Sequence, residues 1–502
     1  MLEASPLEPF GRWIFFPNFS SVETLHATSL PYSSFLYHIP HSSSLTPHPC
    51  FLLPEIFLQS LEGLPGYDRT AFTEAHAQPA PVSLRLHPLK GADLFADVSQ
   101  VPWEPLGRYL PERPVFALDP LWHAGAYYVQ EASSMLAGWA FDALFPEKKG
   151  LRVLDLCAAP GGKSTHLVSL LPPDALLLSN EVIRSRAGIL AENATRWGYA
   201  NHWVSSNDPA AFAQLPDFFD CLVVDAPCSG SGLFRKDPDA VEEWSLEAVT
   251  LCAQRQQRIL HDAWPTLKPG GVLIYATCSY SFAEDEAVID AFCRETEAKT
   301  ISLSPPAEWG LVEVQTESGA QGFRCYPNRV RGEGFFLAAL RKKEVSGKSI
   351  QREKKGRSRH DAATWKKAAH LLQGEDWACL PAEDGKSFRA IPAIFEEDLA
   401  RFQKTLYLRK AGINLGMPGA KEWIPDHALA VATALSADVP VAALSLEEAL
   451  RYLRCEDPGI APNQQGWLLA AYEGQGLGWM KAVKGRINNY LPRPLKLRLR
   501  GD

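Results

Sequence analysis

Regular patterning of apolar positions begins at Leu53. After Pro54 the stretch IFLQSLEGL repeats with helical spacing behind a first-turn proline, and PVSLRLHPL alternates as a strand does. These predict a small α+β domain over residues 51–140. From 151 to 340, short apolar runs (VLDL, ALLLS, HWVSS, CLVVD, VLIYA, FFLAAL) alternate with amphipathic stretches such as RSRAGILAENATRWG. That alternation predicts βαβ units, an α/β domain over 141–342 with a parallel sheet covered by helices on both faces. Residues 343–362 (KEVSGKSIQREKKGRSRHDA) have almost no apolar content and mark a linker. An intermediate region follows over 363–425. Residues 426–502 then bring short apolar runs, closely spaced glycines and aromatics, as in a small β-rich domain. Residues 1–50 show no periodicity and read as a disordered extension or sequence upstream of the true start.

Composition narrows the class. The 502 residues leave room for about three domains, and no apolar run reaches membrane-spanning length, so no membrane partner is expected. The net charge is -8, but residues 341–360 carry +7 and residues 481–502 carry +6. Such concentrated positive charge suits a polyanion held at a chosen surface, and equally a solvated linker and a frayed tail. Ten cysteines without a CxxC pair suggest neither a disulfide framework nor a zinc site, and point to a reducing cytoplasm. His38, His41 and His48 lie among Ser and Pro without acidic or cysteine partners, so no metal is expected.

The candidate chemistry lies in the α/β region. VLDL running into CAAPGGKSTHLVSLL reads as a strand, a tight turn and a helix beginning near Lys163. Small residues there let the backbone approach a ligand. A phosphate loop would need glycine where Cys157 stands, and the dinucleotide fingerprint GxGxxG is absent. Glu181, nineteen residues after Gly162 at the end of the next apolar run, is spaced to bind ribose hydroxyls. Ribose without a full phosphate cradle suggests S-adenosylmethionine. Asp208 follows the next apolar run, either as a further ligand or as a cap on its own turn. CLVVDAPCSGSG and VLIYATCSYS place Asp225, Cys228 and Cys278 just past two more strands, where a doubly wound sheet opens its ligand crevice. Two such thiols fit a covalent attack on carbon 6 of cytosine, which turns carbon 5 into a nucleophile, and a later release of the adduct. Asp225 is placed to hydrogen-bond the base, and Lys163 adds charge favouring thiolate and carboxylate forms.

LDLCAAPGGKST, VVDAPCSGSG and YATCSYS, in this order, resemble the motifs of the Nop/Sun family of RNA 5-methylcytosine methyltransferases. The likeness spans about 53–342 and includes YYVQEASSM and GEGFFLAALRK. It implies a Rossmann-like seven-stranded S-adenosylmethionine-dependent core behind an N-terminal RNA-binding domain. It makes Cys278 the nucleophile and Cys228 the residue aiding release. It gives Ala158, Ala159, Pro160, Gly161, Gly162 and Lys163 as the cofactor loop, Glu181 on ribose, Asp208 near adenine, and Asp225 near both methionine moiety and base. Arg85, Gln130, Ser133 and Ser134 resemble the family's RNA-side strand and loop. LGWMKAVKGRINNYLP is similar to the end of the PUA-like RNA-binding module in the branch acting on small-subunit ribosomal RNA, with Lys484 and Arg486 toward RNA. The expectation is a monomeric, metal-free enzyme forming 5-methylcytosine in small-subunit rRNA or the assembled subunit. Transfer RNA, DNA and an NTP-binding RNA chaperone are the alternatives.

Overall fold

The computed structural model describes residues 53–344 and 362–499, apart from Glu375, Glu383, Pro462 and Asn463. The extension expected at 1–50 and most of the linker expected at 343–362 lie outside the described residues. Among the described residues no helix is long and apolar enough to cross a membrane.

Four strands, β1 (Val82–Leu86), β2 (Gln100–Val101), β3 (Glu104–Leu110) and β4 (Tyr127–Val129), form an N-terminal sheet in the order β2-β3-β1-β4. The central sheet follows. Its strands are β5 (Arg152–Asp155), β6 (Leu176–Asn180), β7 (His202–Ser205), β8 (Phe219–Asp225), β9 (Leu267–Thr277), β10 (Lys299–Thr300), β11 (Val312–Gln315), β12 (Gln321–Cys325) and β13 (Phe335–Arg341). Beyond the linker come β14 (Trp377–Pro381), β15 (Phe388–Pro392), β16 (Leu408–Lys410), β17 (Ile413–Pro418) and β18 (Trp423–Pro425). The C-terminal sheet joins β19 (Val441–Ala443), β20 (Gly466–Tyr472), β21 (Gln475–Val483) and β22 (Arg486–Asn489) in that order.

The expected seven strands run β7-β6-β5-β8-β9-β13-β12, and β10, β11 and β16 widen the sheet to ten. Strands β5 to β9 are mutually parallel. The FFLAAL run departs from expectation: it forms β13, which pairs antiparallel with β9. A strand buried on both faces reads as a continuous apolar run in either direction, so the pattern cannot give its sense. Two-sided burial is visible residue by residue: Leu154, Leu178, Leu222 and Leu273 pack in one apolar cluster, and Val153, Leu177, Val223 and Ile274 in another. Helices α1 (Gly162–Leu170), α2 (Arg184–Trp197), α3 (Leu246–Ala263) and α4 (Glu286–Thr296) cover the faces.

The segment after the linker is welded to this core. Strand β16 adds antiparallel to β7 at the sheet edge, while β14, β15, β17 and β18 form a separate sheet. Arg152 on β5 meets Asp398 at 2.7 Å with both side chains largely buried, and its guanidinium lies 5.0 Å from the Phe395 ring centre. The N-terminal and C-terminal sheets also share one apolar core, in which Leu84, Leu86 and Tyr127 pack with Leu468, Ala470 and Met480. Removing Asp398 leaves Arg152 charged and largely enclosed, so Asp398→Ala is expected to destabilise the protein by about 3–5 kcal/mol. Chemical denaturation would measure it, and an unchanged midpoint would mean that the pair does not fasten this segment.

Candidate active site

Strands β5, β8 and β9 lie side by side and parallel, so the loops at their carboxyl ends leave the sheet together. Between β5 and β8 the strand order reverses, the place where open α/β sheets bind ligands. All three cysteine- and glycine-bearing motifs emerge here.

The loop after β5 is held from several sides. Ala158 N–H donates to Asn180 O, Asn193 Nδ2 to Pro160 O at 2.7 Å, and Arg186 to Ala159 O at 2.8 Å. Gly161 turns the chain at φ 113°, a conformation that side chains rarely adopt, and α1 begins at Gly162. Beneath the loop lies Asp155, fully buried. One of its oxygens accepts the Ser164 hydroxyl at 2.6 Å and the other has no partner. Burial pushes its carboxyl up to about 7, against the opposing effect of the Ser164 hydrogen bond. Glu181 is 3% exposed, with one oxygen accepting Ile183 N–H and the other 3.5 Å from Arg186. Asp208 is exposed and caps its own turn by accepting Ala210 N–H. That is the local role open to it from sequence, and it leaves the second oxygen 3.5 Å from Arg258.

Lys163 reaches across to Asp225 at 2.8 Å. Burial would lower the pKa of its ammonium, but Asp225 and then Cys278 outweigh that and hold it above its ordinary value. The loop therefore has its lysine committed and three carboxyl groups, Asp155, Glu181 and Asp225, around it. A triphosphate would meet those acids with little free positive charge. A cofactor carrying a sulfonium, an ammonium and a ribose diol finds acceptors there, so the donor set fits S-adenosylmethionine.

Cys228 Sγ and Cys278 Sγ stand 3.2 Å apart. Their contact, and then burial, push the Cys228 thiol well above its ordinary value, so Cys228 keeps its proton at neutral pH. Two backbone donors zip the loops: Gly232 N–H to Cys278 O at 2.9 Å and Tyr280 N–H to Ser231 Oγ at 3.0 Å. Glu284 completes the closure. One carboxyl oxygen accepts Ser229 N–H and the other accepts the hydroxyls of Ser229 and Ser279, each at 2.6 Å. It is fully buried, and burial raises its pKa against these hydrogen bonds.

Glu284, Asn180 and Asn193 did not stand out in the sequence. The signal for Glu284 was present as an acid six residues after Cys278, but it belongs to the run Glu284-Asp285-Glu286. Its neighbours turn elsewhere, Asp285 to Thr277 Oγ1 and Glu286 to Arg324. Two expected RNA-facing residues need correction. Arg85 is 1% exposed and donates to Gln130 Oε1, Thr165 Oγ1 and Gly162 O. Gln130 is 5% exposed, and Ser133 is fully buried. The β1 arginine ties the N-terminal sheet to α1 through Nε and Nη2, while its Nη1 is buried without a partner, so it is turned into the protein and not toward RNA. Ser134 donates to Glu131 O within its own turn. Lys484 and Arg486 are exposed at the β21–β22 hairpin.

Comparison with known proteins places these features in a family. Residues 142–341 match the model described as 16S rRNA methyltransferase RsmB/F, 53–132 the N-terminal domain of 16S rRNA methyltransferase RsmF, and 439–497 the methyltransferase RsmF PUA domain. The chain is 33% identical over 384 residues to the ribosomal RNA small subunit methyltransferase F of Aeromonas salmonicida, covering 74% of this chain and 79% of that protein. It is 30% identical over 480 residues to the same-named protein of Vibrio campbellii, covering 89% and 98%. The crystal structure of NSun6 from Pyrococcus horikoshii with SFG shares the fold (TM-score 0.50, 19% identity, 59% of this chain, 100% of that chain).

Diamide is expected to oxidise Cys228 and Cys278 to a disulfide readily, seen by peptide mass. Glu284→Ala removes the acceptor common to both loops and is expected to slow closure about 10-fold. Equal rates in the variant and the wild type would show that Glu284 does not hold the thiols together.

Proposed function

Since the chain belongs to the family of small-subunit ribosomal RNA methyltransferase F, we propose that it methylates carbon 5 of a cytosine in small-subunit rRNA through covalent attack by Cys278. The observation carrying this reading is the pair of sulfurs 3.2 Å apart beside the acid-lined glycine loop. S-adenosylmethionine supplies the methyl group, and Ala158 to Lys163, Glu181, Asp208 and Asp225 hold it.

The target cytosine leaves its stack to reach a thiol, so single-stranded or loop RNA is the substrate. Cys278 gives its thiol proton to water and adds to carbon 6, electrons move into the ring, and carbon 5 becomes the nucleophile that takes the methyl group as the methyl–sulfur bond of the donor breaks and leaves its electron pair on that sulfur. As the electrons arrive the ring nitrogen takes up a proton from water, and the Asp225 carboxylate accepts a hydrogen bond from the resulting N–H. Lys163 stabilises negative charge on Asp225 and, during the attack, on Cys278. Afterwards a water molecule takes the carbon 5 proton, the freed C–H pair restores the 5,6 double bond, and the Sγ–carbon 6 bond breaks with its electron pair returning to sulfur. Cys228, which holds its proton, hydrogen-bonds the departing sulfur and promotes release. Lys484 and Arg486 contact RNA from the C-terminal module, and the enzyme works as a monomer without a metal.

The same three acids disfavour the phosphate-loop alternative, because they surround the loop that a triphosphate would occupy. Methyl transfer to small ribosomal subunits lacking the modification is the test. Cys278→Ala is expected to lower it at least about 10³-fold without trapping RNA. Cys228→Ala is expected to accumulate a denaturation-resistant RNA adduct. The opposite pattern would exchange the two roles, and transfer to tRNA alone would overturn the substrate.

A further inference from the structure

A cavity of about 740 Å³ opens where all the folded parts meet, and none of the cysteine- or glycine-loop residues lines it. Trp122 comes from the N-terminal domain, Glu192 and Arg196 from α2, Arg389, Arg409 and Lys410 from the segment after the linker, and Lys496 and Arg498 from the tail. Six Lys or Arg side chains thus face two acids, Glu192 and Asp384, in a chain whose net charge is -8. The basic tail noted in the sequence therefore brings two of its cations to this junction.

The cations divide into walls and rim. Lys410 is spent on structure, donating to His202 O at 2.7 Å. Arg196 lies over Trp122, its guanidinium carbon 4.1 Å from the ring centre, and donates to Asn193 Oδ1 at 2.6 Å, which holds a guanidinium-on-indole platform in place. Arg409, Lys496 and Arg498 are exposed, and none is in an ion pair among the described residues. Of the two acids, Asp384 is occupied by its own turn, accepting Lys386 N–H, Ser387 N–H and the Ser387 hydroxyl.

We propose that this cavity seats a single-stranded stretch of the RNA substrate outside the target cytosine's site, with phosphates on Arg409, Lys496 and Arg498 and a base against the Arg196–Trp122 platform. Three exposed cations free of ion pairs around one concave site suit the phosphates of a single strand, and a guanidinium offers a face on which a base stacks without sequence preference. At about 740 Å³ the cavity has room for single nucleotides rather than for paired strands. Asn193, which accepts from Arg196, also donates to Pro160 O of the cofactor loop, so the platform and that loop share one support. The inference rests on the RNA reading above.

The test uses the full-length protein with a labelled single-stranded RNA, a hairpin duplex of equal length and small ribosomal subunits. Arg409→Glu/Arg498→Glu is expected to weaken single-strand binding at least about 10-fold and to lower the slope of log affinity against log salt by about 1.4, some 0.7 for each lost contact. It should raise KM for subunits while leaving kcat near wild type. Lys299→Glu/Lys404→Glu, the same charge change at exposed positions outside the cavity, is expected to stay within about 2-fold. Equal effects of the two double variants, or a duplex competing as well as the single strand, would overturn the proposal while leaving the methyl-transfer reading in place. Wild-type protein that binds neither RNA nor subunits would overturn the RNA reading, and this site with it.

Discussion

The parallel register of β5, β8 and β9 is the constraint on which the site depends. Asp155 pairs with Val223, and Asp225 with Ala276, so the three strands end at nearly the same level. The glycine loop and the two cysteine loops then emerge within reach of one another. A slip of one residue would turn every side chain to the opposite face, sending Asp225 away from Lys163. The apolar clusters on both faces forbid such a slip, so the packing that stabilises the domain also fixes the distance between two sulfurs contributed from positions fifty residues apart in the chain.

Electrostatics then divides the cleft into two halves. Around the glycine loop, Glu181 and Asp225 each meet one cation, Arg186 and Lys163, and buried Asp155 keeps one oxygen without a partner, so no cation is left over for a triphosphate and acceptors remain for the methyl donor. Around the thiols, Lys163 is the adjacent cation, held in its charged form by Asp225. The Lys163–Asp225 pair sits on the seam, binding the cofactor half to the reacting half. Glu284 works from behind, where it fastens the two cysteine loops through Ser229 and Ser279. In this arrangement Cys228 retains its proton beside Cys278, and the two thiols take different parts in one reaction.

Much of this was legible in the chain because local chemistry specifies it. Strand-turn-helix punctuation around LDLCAAPGGKST located the cofactor loop, and the apolar runs ending in Asp225, Cys228 and Cys278 placed them at strand ends. What escaped is set by long-range packing. The direction of β13 is invisible when both its faces are apolar. Arg85 reads as a strand-borne cation, and only the neighbouring α1 reveals that it is enclosed. Glu284 is one of three consecutive acids, and the path of the chain alone decides which of them turns toward the thiol loops. The segment after the linker carried no motif, yet β16 extends the catalytic sheet and Asp398 closes over Arg152.

Every step assigned to the two thiols requires a carbon–sulfur bond formed by Cys278. The direct measurement is peptide mapping, by mass spectrometry, of wild-type protein trapped on small subunits whose cytidines are replaced by 5-fluorocytidine, where the fluorine blocks release after methyl transfer. A nucleotide joined to the YATCSYS peptide at Cys278 is expected. A nucleotide on Cys228, or no covalent product alongside active methyl transfer to normal subunits, would contradict it.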